Sequence, residues 1–215
     1  MKRVDMYALA LIGSTAVVMG GGAAYLTMRS ERTVVAAAPV APVATPASAA
    51  AVTSHLYLSI ATPAMLGGGE MPAYLPGNFS VPANADVTVT ITNFDDATAL
   101  TPGTEQFASA TGIKGSMSVQ PLDATNPNGP ATPQLLSALD PAKGVSHTLT
   151  VAKLGLNVPI APKAVTTFTF HTAAAGTYAW QCMDPCGSDP NGWGGAMAAA
   201  GYMKGSMTSC GGCCC

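Results

Sequence analysis

Charge is scarce in this chain of 215 residues: only 9% are Asp, Glu, Lys or Arg, and the formal net charge is −2. Soluble domains typically carry roughly 25%, so polarity here must come from Thr, Ser, Asn and Gly. No basic patch exists to meet a phosphate backbone, which excludes nucleic acid as a partner class. Acid–base catalysis needs paired ionisable groups in a pocket, and few are on offer. The sequence also lacks a Gly-x-Ser-x-Gly elbow, a phosphate loop, a His-Glu-x-x-His pair and a dinucleotide fingerprint, so no small-molecule substrate is inferred. Aromatics are 6%. From residue 55 onward no stretch keeps a helical period beyond two turns, and Thr-rich alternation takes its place. That balance suits an all-β protein.

The N-terminus is different in kind. Residues 1–6 carry charge, and Tyr7 to Met28 carry none. That uncharged run, rising about 1.5 Å per residue, makes roughly 33 Å, enough to cross a hydrocarbon core of about 30 Å. It exceeds the 7–15 residues usual for a signal h-region, which favours a single-pass transmembrane signal-anchor at 7–28 over a cleaved signal peptide. Lys2 and Arg3 on one side balance Arg29 and Arg32 on the other, so charge does not orient the span. Either reading exports the rest of the chain and puts the C-terminal domain outside the cell membrane, periplasmic or extracellular. Residues 29–54 form a Pro/Ala-rich linker, a semi-rigid spacer. The domain is expected over 55–209, with a Cys-rich tail at 210–215 to which no function is assigned.

Within the domain, 55–60 reads as a first strand, 67–82 as turn-rich chain, and 86–93 (DVTVTITN) as the clearest strand, with Val87, Val89 and Ile91 on one face. A Pro/Gly/Asn-rich stretch at 95–144 is too long to be structureless in a compact domain, so at least one extra strand or short helix is expected there. Further strands are expected at 145–151, 165–171, 177–182 and 204–209, with another candidate at 154–160. Short strands separated by turn signals predict a sandwich or small barrel.

Parity then singles out candidate side chains. His147 shares its face with Val145, Leu149 and Val151, so it points inward. Tyr178, Trp180 and Cys182 share another inward face, and Cys182 leaves its strand into a loop rich in sulfur. An inward imidazole and an inward thiol at one end of a sandwich are the ingredients of a soft-metal site. The plain structural readings stand beside this one. In an exported domain Cys182 and Cys186 suit a short disulfide, and His147 suits a buried histidine bonded to backbone. His55 and His171 are ordinary strand residues, and Met183, Met197 and Met207 serve packing. Trp193 packs a loop, covers the site or docks a partner. Asp184 and Asp189 offer oxygen donors of a harder kind.

With these residues placed, the chain resembles the cupredoxin superfamily, and within it the dinuclear-copper (CuA) domain of cytochrome oxidase subunit II. The resemblance is carried by SHTLTV at 146–151, FTFHTAAAGTYAWQC at 168–182, CMDPCG at 182–187 and GYMKG at 201–205. It implies a Greek-key β-sandwich that binds copper. His147 matches the first histidine ligand, Cys182 and Cys186 the two thiolates, and Met203 the axial methionine. The chain departs from the family at one position: where a second histidine belongs, four residues past Cys186, stands Pro190, and no residue from 183 to 215 is histidine. The resemblance implies a membrane-tethered electron carrier in a respiratory-type chain, with a redox protein as partner, rather than a catalyst. The alternative is a metal-free structural or interaction module, or an accessory oxidase subunit, with a Cys182–Cys186 disulfide.

Overall fold

The structure is a computed structural model, and it describes residues 54–122, 131–186 and 194–212. All of these belong to one compact unit, Ala47–Cys215. The expected anchor at 7–28, nearly all of the linker, Asp189, Pro190, Trp193 and the last three cysteines lie outside the described residues. Among the described residues no helix is long and apolar enough to cross a membrane.

Eleven strands are described: β1 Ser54–Ala61, β2 Ala73–Leu75, β3 Asn78–Pro82, β4 Asp86–Asn93, β5 Met117–Pro121, β6 Gln134–Leu136, β7 His147–Val151, β8 Leu156–Ile160, β9 Ala164–His171, β10 Gly176–Gln181 and β11 Lys204–Cys210. One sheet runs β2-β1-β4-β9-β5-β6 and the other β3-β11-β10-β7-β8. The β1–β4 and β11–β3 pairs are parallel, and the remaining ladders are antiparallel. The all-β class expected from composition is what the described residues adopt, with only short helical turns between strands.

Strand β4 shows why. Val87, Val89 and Ile91 are fully buried while Thr88, Thr90 and Thr92 face outward half-exposed. Its register with β9 sets Asp86 opposite His171 and Asn93 opposite Ala164. On the outer face Thr88 and Thr169 hydroxyls meet at 3.0 Å, and Thr90 and Thr167 at 3.3 Å. On the inner face Phe168 and Phe170 join the β4 aliphatics in the core. Cross-strand pairs of this kind stabilise a sheet by about 0.2–1 kcal/mol each.

Two stretches hold more than their residue pattern shows. The stretch 67–82 is not turn alone: it folds into β2 and β3, which edge the two sheets. Three- and five-residue strands separated by Pro76-Gly77 are too short to show a period. Strand β7 does not keep one polar face either, since Ser146, Thr148 and Thr150 are buried along with His147. The reason is the region 95–144. It forms β5, β6 and a short 3-10 turn at Glu105–Ala108, and the chain at that turn covers the outside of β8. Asn157 on β8 donates to the carbonyls of Phe107 (3.0 Å) and Ser109 (2.8 Å). A short helix, α1 at Gly195–Ala198, is too brief to leave a helical signal in the sequence.

The candidate metal centre

Strand directions decide which residues meet. β7 begins at His147, β10 ends at Gln181 just before Cys182, and β11 begins at Lys204 just after Met203. Because β10 is antiparallel to both neighbours, these termini lie at one end of the second sheet. Asp95, just past the end of β4 in the first sheet, reaches the same place. There the ligand atoms of His147, Cys182 and Cys186 all lie within 4.8 Å of one another, and all three residues are buried.

The imidazole is oriented by its back side. His147 Nε2 stands 3.2 Å from Asp95 Oδ2. A carboxylate accepts only, so Nε2 carries the hydrogen and donates it. Asp95 is itself held, its Oδ1 accepting from the Asp96 N–H and its own N–H donating to Asn93 Oδ1, each at 3.0 Å. The other ring nitrogen, Nδ1, is buried without a hydrogen-bond partner. A histidine whose far nitrogen donates to a carboxylate while its near nitrogen is left over is the arrangement in which imidazole binds metal.

The sulfurs are fixed through the main chain. The Cys182 N–H donates to the Met203 carbonyl at 2.8 Å, and Cys182 Sγ accepts from the Thr148 N–H at 3.2 Å. The residue after Cys182 is pinned by a directional chain. Met183 N–H donates to Thr148 Oγ1 at 2.7 Å, Thr148 meets Thr150 at 2.9 Å, and Thr150 donates to Asn157 Oδ1 at 2.6 Å. Since Thr150 spends its hydrogen on Asn157, Thr148 is the donor to Thr150. Cys186 Sγ lies 3.2 Å from Cys182 Sγ, and both cysteines are free thiols. The alternative disulfide is therefore not formed in this structure.

Electrostatics separate the two thiols. Burial alone would push Cys182 up, but the Cys186 S–H, the His147 ring and the Thr148 N–H outweigh it and hold Cys182 below its ordinary range. Burial and the neighbouring Cys182 charge push Cys186 up instead. For His147 burial pulls downward, but Asp95 and Cys182 overcome it and raise the ring from 6.5 to about 9. Asp184, between the cysteines, is raised to about 8 by burial first and by Cys182 second. Both of its carboxylate oxygens are buried without a partner, a condition costing about 1–3 kcal/mol per group.

A copper ion fits this chemistry. Two thiols and an imidazole make a soft-to-borderline donor set, and the orphaned Nδ1 beside them is the kind of atom a metal satisfies. Of the residues singled out from sequence, His147, Cys182 and Cys186 are brought together. Met203 is fully buried in the core cluster and joined to Cys182 through its carbonyl. His55 and His171 stay away: His55 stacks on Tyr57 on the surface of β1, and His171 pairs with Asp86 at 2.8 Å. Met207 is core packing on β11. Two residues escaped the sequence reading. Asp95 lies 52 positions from His147, and nothing periodic links them. Met197, read as packing, places its sulfur 3.8 Å from Cys186 Sγ.

No family model matches this sequence, and no curated protein does. Similar solved structures include dithionite-reduced auracyanin from the photosynthetic bacterium Roseiflexus castenholzii, at 19% identity over 73% of this chain and 97% of that one, with a TM-score of 0.32. Reduced rusticyanin is 20% identical over 74% of this chain and 79% of that one, TM-score 0.33. A heme-copper terminal oxidase is 11% identical over 73% of this chain and 59% of that one, TM-score 0.31. With each TM-score below 0.5, the description of the fold rests on the chain's own strand order and register.

Proposed function

We propose that this protein is a copper-binding carrier of single electrons. The observation that carries the reading is the convergence of His147, Cys182 and Cys186 in one buried site, with the His147 ring held by Asp95 and its Nδ1 left without a partner. Copper bound there would supply one-electron chemistry through its two oxidation states. The residues do the rest. Cys182 and Cys186 offer the thiolates, His147 the nitrogen, and Met203, as in the family the sequence resembles, the weak thioether.

The frame around them is rigid. The Thr148 N–H on β7 and the Met203 carbonyl just before β11 hold Cys182 from two sides, and Trp180, two residues earlier, is locked by donating to the Gly77 carbonyl at 2.9 Å. A site that cannot rearrange keeps the structural cost of electron transfer low. Burial of all three residues excludes water from the donors. An open groove lined by Gln181, Met183, Gly201 and Lys204 runs beside the site, which suits approach of a redox protein. Placement outside a cell membrane on a single span at residues 7–28, in a respiratory-type chain, completes the proposal and rests on the sequence alone.

The test is copper loading of the full chain, with metal content and the visible spectrum recorded. One bound copper or more per chain and a thiolate-to-Cu(II) absorption band abolished in Cys182→Ser is the expected result. A chain that takes up no copper with both thiols titratable would refute it, and would favour the metal-free module.

A further inference from the structure

The sequence after Cys186 contains no histidine through Cys215, so any donor it contributes beside Cys186 must be of another type. Among the described residues the side chain that meets Cys186 from that part of the chain is Met197 of α1, with Sδ 3.8 Å from Cys186 Sγ. Met197 is 2% exposed, so its thioether has no access to water. Its position is not incidental. The Met197 N–H donates to Gly194 O at 3.0 Å, and the Met203 N–H donates to Ala196 O at 3.3 Å. Met203 in turn accepts from the Cys182 N–H. One hydrogen-bonded frame thus carries Cys182 and the helix turn that presents Met197.

Lone pairs outnumber protons at this spot. The single Cys186 S–H has three acceptors in reach: Cys182 Sγ at 3.2 Å, Asp184 O at 3.1 Å and Met197 Sδ at 3.8 Å. It can satisfy one well. His147 Nδ1 is buried in the same cluster without a hydrogen-bond partner. Converging sulfur lone pairs in a dry pocket are what a soft cation satisfies and what a hydrophobic core does not need.

We propose that Met197 is a further metal donor of this centre, a thioether added to Cys182, Cys186, His147 and Met203, and that the sulfur-rich set so formed selects Cu(I) over Cu(II). The inference rests on the copper reading. Thiolate and thioether select Cu(I), whereas imidazole serves either state. A thioether in place of a second imidazole therefore moves the preference toward the reduced ion.

The test uses the full chain loaded with Cu(I) alone. Affinity is measured by competition with a chromophoric Cu(I) chelator, and Cu–S and Cu–N scatterers are counted by X-ray absorption. Met197→Leu conserves volume; it is expected to weaken Cu(I) at least tenfold and to remove one Cu–S scatterer. Met197→His is expected to replace that sulfur by nitrogen and to raise Cu(II) affinity relative to Cu(I). Met207→Leu, in the core of β11, is expected to change neither. A Met197→Leu affinity within twofold of wild type, or an unchanged sulfur count in Met197→His, overturns the assignment while leaving the copper reading intact. A wild-type chain that binds no copper overturns both.

Discussion

Removing the Asp95 carboxylate tests the centre at its least obvious point. Asp95→Ala deletes the acceptor at 3.2 Å from His147 Nε2 and leaves that nitrogen buried without its carboxylate. In the metal-free protein the raised His147 pKa sets the sign. The ring titrates near 6.5 unfolded and at about 9 folded, so its charged form stabilises the fold fully below about pH 6.5, and that stabilisation is lost as pH rises through about 9. The rise from 6.5 to about 9 corresponds to roughly 3 kcal/mol. Cys182 contributes part of it, and the Asp95 side chain is 24% exposed, so water screens and partly replaces the lost bond. About 2 kcal/mol is then the expected loss at pH 6. Above the folded pKa a neutral N–H still donates to the carboxylate, worth about 1 kcal/mol. Urea unfolding of metal-free wild type and Asp95→Ala at pH 6 and pH 10 should show the gap shrinking by about half. Copper affinity should fall about 10–100-fold, the usual consequence of losing a partner behind a metal-binding histidine, and Asp95→Asn, which keeps an acceptor, should fall between. A gap that is equal at both pH values, or larger at the higher one, would refute this account of the His147–Asp95 pair.

Gly205→Ala should destabilise by about 2–4 kcal/mol, because a Cβ there would sit 1.9 Å from Gly77 O and 2.8 Å from Trp180 Nε1, breaking the bond that locks Trp180. Gly211→Ala, whose nearest contact is the Ala175 Cβ at 3.5 Å, should stay within about 0.5 kcal/mol; equal thermal midpoints for the two variants would contradict the packing. Asp184→Asn should stabilise the metal-free protein at high pH. Its folded pKa of about 8 against 3.8 means that the cost of its buried charge is absent below about pH 4 and complete above about pH 8. The expected gain is on the order of a few kcal/mol at pH 9 and close to nothing at pH 4, read from unfolding curves at the two pH values. An unchanged stability at pH 9 would place that carboxylate in water rather than in the core.

Strands were legible wherever one face of a sheet is covered and the other is not. Asp86–Asn93 and Ala164–His171 alternate because β4 and β9 lie at the centre of a sheet with a wet outer face, and period 2 reports that asymmetry. The signal failed where the asymmetry is missing. Both faces of β7 and β8 are covered, so Thr148 and Thr150 are buried although they lie on the face opposite His147. It failed again for β2 and β3, which span three and five residues. At the candidate centre, inward parity placed His147 and Cys182 because each belongs to a strand or directly continues one. Met197 belongs to a four-residue helix, too short for a period to reveal direction.

Residue order was enough for the all-β class, the inward direction of His147 and Cys182, the spacing of Cys182 and Cys186, and the absence of a histidine after them. These depend on local steric preference and on residue identity, which need no knowledge of what lies across the core. Only the folded chain shows that Asp95 backs the imidazole, that Met197 faces Cys186, and that Asp184 is left buried without a partner. Those contacts join segments whose separation in the chain carries no periodic trace. They exist because the antiparallel pairing of β10 with β7 and β11 brings the strand ends together, and β4 delivers its carboxylate from the opposite sheet.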